Sequence, residues 1–145
     1  MELPIETEQE AAVALLFAGV MHGNKTLNQS QIEQLSRMLV LSTKFKGSDL
    51  NELSKKGLSV QAQHGSKTVI EQCAPKVSDD FKETLFAMTC ELVTANGKID
   101  ESESEILAMT ALYLGLEVER MRMILTSFLI RNRWNVQIID PELLG

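Results

Sequence analysis

The stretch Leu92-Val93-Thr94-Ala95-Asn96-Gly97-Lys98-Ile99-Asp100-Glu101-Ser102-Glu103 decides how this chain reads. An apolar helical run ends at its left, a glycine turn fills its middle, and Asp100 and Glu103 stand three apart where a new helix begins. Such a pair forms a capping box, in which each side chain accepts from the other residue's backbone N–H. The stretch therefore predicts a helix–elbow–helix unit.

The same grammar recurs on both sides. Thr7 with Glu10, Asn28 with Gln31 and Asp49 with Glu52 repeat the i, i+3 relation, and Ser66 and Ser78 or Asp79 suit N-caps. Between these starts, apolar residues recur at helical spacing: Val13, Leu16, Phe17 and Val20; Ile32, Leu35 and Leu39; Phe81, Leu85, Met88 and Leu92; Val118, Met121, Leu125 and Phe128. Gly23, Gly97, Gly115 and Pro75 mark the stops. The expectation is an all-α domain of about seven helices, over 7–22, 28–42, 49–63, 66–74, 79–95, 100–114 and 117–131. Leu27-Asn28-Gln29-Ser30-Gln31 also matches Ile99-Asp100-Glu101-Ser102-Glu103 at a shift of 72 residues, and the same shift carries Leu35 onto Leu107. Two related helical hairpins are therefore expected, with the third and fourth helices between them.

Composition agrees with one domain over 1–145, with a core at about 7–131 and a docked C-terminal tail over 132–145. A chain of 145 residues can bury a core without disulfides or metal. Hydrophobic residues at 44% and charged residues at 23% exclude a disordered chain. The formal charge of −6 disfavours sequence-independent nucleic-acid binding, because phosphates are repelled. The apolar run Ala11 to Met21, at 11 residues, is too short to span a bilayer. Glu2, Glu6, Glu8 and Glu10 do not form the positive start of a signal peptide. Two cysteines without a CxxC pattern fit reduced thiols and a cytoplasmic location.

The elbow invites comparison with a calcium EF-hand. Asn96, Gly97, Ile99, Asp100 and Glu103 fit loop positions 5, 6, 8, 9 and 12, but position 1 falls on Leu92, which cannot ligate calcium. Capping accounts for Asp100 and Glu103 without any ligand. The same two carboxylates, one turn apart, could also share a hard cation with the Asn96 oxygen. Nucleophile-elbow, P-loop and dinucleotide fingerprints are absent, and no nucleophile–base pair is readable, so an enzyme is not expected.

Ala95-Asn96-Gly97-Lys98-Ile99-Asp100-Glu101-Ser102-Glu103, followed by Ala111-Leu112-Tyr113-Leu114-Gly115-Leu116, resembles the TerB-like family of tellurite-resistance proteins, which includes the N-terminal region of DjlA-type co-chaperones. The clear likeness covers about 79–131. It implies an all-helical domain of about seven helices in a chemical-stress system linked to tellurite and phage resistance. It also implies binding of a divalent metal by acidic residues, and protein partners associated with membranes. The motif's Asp falls on Asn96, its Gly on Gly97 and its acidic helix-start residues on Asp100 and Glu103. In the first hairpin Asn28 and Gln31 stand where the second has carboxylates. The alternative function is a metal-free helical module that holds a protein partner with its methionine-rich helices or its tail.

Smaller features receive plain readings. Cys90 is expected to be a buried, inert thiol, and Cys73, before Pro75, a more exposed one. His22 and His64 each precede a glycine near a helix end and suit the helix dipole; no second ligand at zinc spacing accompanies them. Met38, Met88, Met109, Met121 and Met123 read as core filler. In the tail, Trp134, Val136 and Ile138 alternate with polar residues, which predicts docking on the body or on a second copy in a homodimer.

Overall fold

A computed structural model of the chain describes residues 2–22, 27–95 and 97–135. Its elements are α1 (Glu8–Val20), α2 (Gln29–Leu41), α3 (Leu50–Cys73), α4 (Asp79–Val93), α5 (Glu101–Leu114) and α6 (Val118–Asn132), with short 3-10 turns at Thr43–Phe45 and Ala74–Lys76. No strand occurs among the described residues, and the domain is all-helical as expected.

Local chemistry sets the helix starts. Thr7, Asn28 and Asp100 each form a complete capping box with Glu10, Gln31 and Glu103. Asp49 supplies the cap acceptor of α3 through the Glu52 amide. Ser78 occupies the N-cap position of α4 without a side-chain cap bond. Its amide instead donates to Glu8 Oε1 on α1 at 2.8 Å, a long-range cap. Pro75 lies in the 3-10 turn that ends α3.

Six helices stand where about seven were expected, because the third and fourth are two arms of one kinked element. Gly65 breaks α3 with φ +81° and ψ 163°. The Ser66 hydroxyl does not cap the second arm. It donates to the Ala18 carbonyl at 2.9 Å and accepts from Gln61 Nε2 at 2.8 Å, which ties the kink to α1.

α1 is the axis of the molecule. The stripe read from Val13, Leu16, Phe17 and Val20 understates it, since every residue from Ala11 to Val20 is buried. A helix apolar on all sides belongs inside a core. Its neighbours come close where glycine allows. A Cβ on Gly19 would meet Thr89 Cγ2 of α4 at 2.6 Å, and one on Gly57 of α3 would meet Phe17 and Val13 at 3.0 Å. Leu85, Phe86, Cys90 and Leu92 of α4, Leu107 and Leu114 of α5, and Val69 and Ile70 of α3 complete the interior.

α6 lies outside this core and buries no residue fully. Met121, Ile124, Leu125 and Phe128 rest on the core surface. Arg120 clasps Glu83 of α4 with two bonds, Nη2 to Oε1 at 2.6 Å and Nε to Oε2 at 2.8 Å. The methionines follow the same outer layer. Met38, Met88, Met109 and Met121 pack against the core while partly buried, and only Met123, 58% exposed, departs from the filler role expected. Both cysteines are fully buried, Cys73 included, contrary to the exposure expected for it. Burial pushes the Cys73 thiol up to about 11, despite nearby Lys76, and that of Cys90 to about 12. Trp134 is 88% exposed and so does not rest on the body of its own chain. Val136 and Ile138, with the rest of the expected tail contact, fall outside the described residues, as does Gly23.

Candidate functional site

The elbow between α4 and α5 is held from three directions. α4 ends at Thr94, whose buried hydroxyl donates to the Cys90 carbonyl at 2.7 Å. An oxygen committed inside the helix is turned away from the loop, a second departure from the EF-hand pattern. Gly97 follows with φ +84°, in the left-handed region that glycine adopts without strain. A Cβ there would also sit 2.5 Å from the Asn132 carbonyl. Gly97 is therefore needed twice, for the turn and for the approach of α6. Asn132 Nδ2 donates to Thr94 Oγ1 at 3.3 Å, and Asn135 Nδ2 to the Ala95 carbonyl at 3.0 Å, so the end of α6 straps the elbow.

Asp100 and Glu103 open α5. Asp100 Oδ1 accepts from the Glu103 amide at 2.8 Å, and Glu103 Oε1 accepts from the Asp100 amide at 2.9 Å. Ser102 adds a third bond, its hydroxyl donating to Asp100 Oδ1 at 2.8 Å. The carboxylates are thus brought together at one helix start, where the backbone dipole favours negative charge. Asn96, the third residue expected there, lies outside the described residues.

One residue of this neighbourhood escaped sequence reasoning. His22, at the end of α1, is buried, and its Nε2 lies 3.1 Å from Ser102 Oγ. Its Nδ1 lies 3.2 Å from the Gly19 carbonyl. A carbonyl only accepts, so Nδ1 carries the hydrogen in that bond. The chain Gly19–His22–Ser102–Asp100 links the end of α1 to the carboxylates at the start of α5. The plain reading of His22 as a dipole partner covers only its Nδ1 side.

The donor chemistry at α5 suits a hard cation. Two carboxylates match ions such as Mg²⁺, Mn²⁺ or Ca²⁺, which accept oxygen ligands and, for Mg²⁺, keep several waters. Among the described residues no group of three or more His, Cys, Asp or Glu side chains is placed to hold a metal. The set therefore does not fit a closed structural zinc site, which takes four N or S ligands. Carboxylates have two oxygens and about four lone-pair sites, so capping and cation ligation are compatible. No helix among the described residues is long and apolar enough to cross a membrane.

An all-α core built on the buried α1, with complete capping boxes opening α1, α2 and α5 and an acidic elbow before α5, defines a helical domain. The family model described as Tellurite resistance protein TerB matches residues 9–125. The chain belongs to the TerB family. No match was found among curated proteins or among solved structures.

Proposed function

We propose that this TerB domain serves tellurite and chemical-stress resistance by binding rather than catalysis, with a divalent cation held at Asp100 and Glu103 and Asn96 assisting. The observation that supports it best is the fixed arrangement of the two carboxylates. They are locked by reciprocal cap bonds, and Asp100 is braced by Ser102 and His22 behind it. Ligands oriented by a second layer of hydrogen bonds lose less entropy when an ion arrives. A cytoplasmic location and protein partners at the membrane belong to the same proposal.

Calorimetric titration of the full chain with Mg²⁺, Mn²⁺, Ca²⁺ and Zn²⁺, together with melting curves, tests it. Binding heat and a raised Tm are expected for at least one of the first three. Both should be lost in Asp100→Asn combined with Glu103→Gln, which keeps cap acceptors at both positions. Absence of heat with unchanged Tm for all four metals would reject the cation.

A metal-free interaction module is the second reading, favoured by the apolar trough between α2, α4 and α6 and by the exposure of Val40, Leu41, Met123 and Ile130 beside it.

A further inference from the structure

α6 has two apolar sides, and the core uses one of them. Met121, Ile124, Leu125 and Phe128 rest on the core. Met123, Ser127, Ile130 and Trp134 follow one another at steps of four, three and four on the opposite side, and all four are exposed. Arg133 keeps helical angles, φ −50° and ψ −37°, so Trp134 continues the spiral past the last helical residue. Met123 is 58% exposed, Ile130 55% and Trp134 88%. The spacing is the 3.5-residue repeat of a helix-to-helix seam. Apolar residues scattered singly over a surface need no partner, whereas three in one repeat form a patch.

Charge is uneven along this helix. Near its start, Glu117 and Glu119 stand with Arg122 and with Arg120, which is held by Glu83 of α4 at 2.6 Å. Carboxylates outnumber guanidiniums there by one. At its end stand Arg131 and Arg133, and the Arg37 and Glu91 that share the hollow beside Arg131 offset each other. Arg122, Arg131 and Arg133 form no ion pair with any described residue. The start of the helix is therefore net acidic and its end net basic. An anionic lipid surface would suit the end alone. A second α6 running the opposite way suits both ends, and the same patch then serves both copies. A parallel one would set Arg131 and Arg133 against their own kind.

We propose that two copies of this chain pair through the outer side of α6, antiparallel about a two-fold axis near Ser127. Met123 then packs on the partner's Ile130, and Glu119 lies beside the partner's Arg133. Arg120 is already laid along the seam, its Nη1 3.6 Å from Met123 Sδ, and its guanidinium receives the partner's Trp134. α6 has 15 residues and measures about 22 Å. A seam of that length falls short of the interface of a tight dimer, so the pairing is weak and depends on concentration.

Sedimentation equilibrium of the full chain, with emission of its single tryptophan, tests this. Between micromolar and millimolar concentration the mass should rise from one chain toward two. Trp134 emission should shift to the blue over the same range as its ring leaves water. Met123→Glu combined with Ile130→Glu, both at exposed positions, should stay monomeric throughout with its helical circular dichroism intact. Glu119→Arg alone and Arg133→Glu alone should each weaken association by about tenfold, because the two-fold axis breaks the pair twice. The two together should restore it, since the reversed charges meet again. One chain's mass at millimolar concentration, with constant Trp134 emission, would overturn the proposal. So would a dimer that survives Met123→Glu with Ile130→Glu, or a double charge reversal no better than either single one. Binding of a monomer to phosphatidylglycerol vesicles through these residues, without self-association, would overturn it in favour of a lipid surface.

Discussion

His22 Nε2 sits 3.1 Å from Ser102 Oγ, although 80 residues separate them in the chain. The contact joins the end of α1 to the start of α5. Ser102 Oγ also lies 2.8 Å from Asp100 Oδ1. With the Gly19 carbonyl 3.2 Å from Nδ1, each ring nitrogen has an oxygen neighbour. Removal of His22 leaves the Ser102 side of Asp100 without its brace. His22→Ala should therefore lower unfolding stability by about 1–3 kcal/mol, the range for loss of buried hydrogen bonds. Ser102→Ala, at an exposed position, should cost clearly less. Urea melts of the two variants decide this; equal costs would mean that His22 contributes packing alone.

The close crossing of α1 and α4 at Gly19 gives a second expectation. A methyl there would overlap Thr89 Cγ2 at 2.6 Å, inside a core with no room to yield. Gly19→Ala should destabilise by about 1–3 kcal/mol, as overpacking does. Thr89→Ser removes the opposing methyl and keeps a hydroxyl for the Leu85 carbonyl, which the Thr89 hydroxyl reaches at 2.9 Å. Adding it to Gly19→Ala should recover most of the loss in chemical denaturation. No recovery would place the strain elsewhere.

Glu8 gives a pH dependence with a definite sign. Burial pulls its carboxyl upward, but bonds from the Ser78 hydroxyl and amide and from Lys44 outweigh that and hold it below the ordinary value of 4.5. A carboxyl with a lowered folded value adds stability that is present above the unfolded value and lost as pH falls through the folded one. Glu8→Gln should thus lower Tm at pH 7, by a few degrees for a loss of about 1 kcal/mol, and the difference from wild type should shrink as pH falls below 4.5. A difference that does not shrink on acidification would contradict the electrostatic origin.

The thiols should be silent in the native state. Burial raises both well above neutral pH, so neither Cys73 nor Cys90 presents a thiolate at pH 7.5. A bulky thiol reagent should modify neither until denaturant is added, and then both. Native labelling of either cysteine would show that the core opens more readily than its packing implies.

Much of this fold is legible in the sequence because caps are local. The boxes at Thr7, Asn28 and Asp100 bind residues three apart, so side-chain chemistry alone places those helix starts. What was missed depends on which element meets which. α1 reads as one stripe, because periodicity cannot report burial by alanines and a glycine on the opposite face. Ser78 is the N-cap of α4, as local rules allow, but the acceptor of its amide, Glu8, stands 70 residues away and no local rule names it. Nearness to Pro75 suggests exposure for Cys73, whereas Ala74 and Val77 around the 3-10 turn after it are themselves buried. At the site, Asp100 and Glu103 were readable for the same local reason that makes them caps. His22 was not, since nothing in its own segment announces Ser102.

The cation proposed for the elbow is tested most directly by paramagnetic broadening with Mn²⁺ in the backbone amide NMR spectrum of the full chain. Broadening at substoichiometric Mn²⁺ should centre on Gly97 to Glu103, extend to His22 across the interhelical contact, and disappear in Asp100→Asn with Glu103→Gln. Broadening centred on another acidic surface, or none at all, would contradict it.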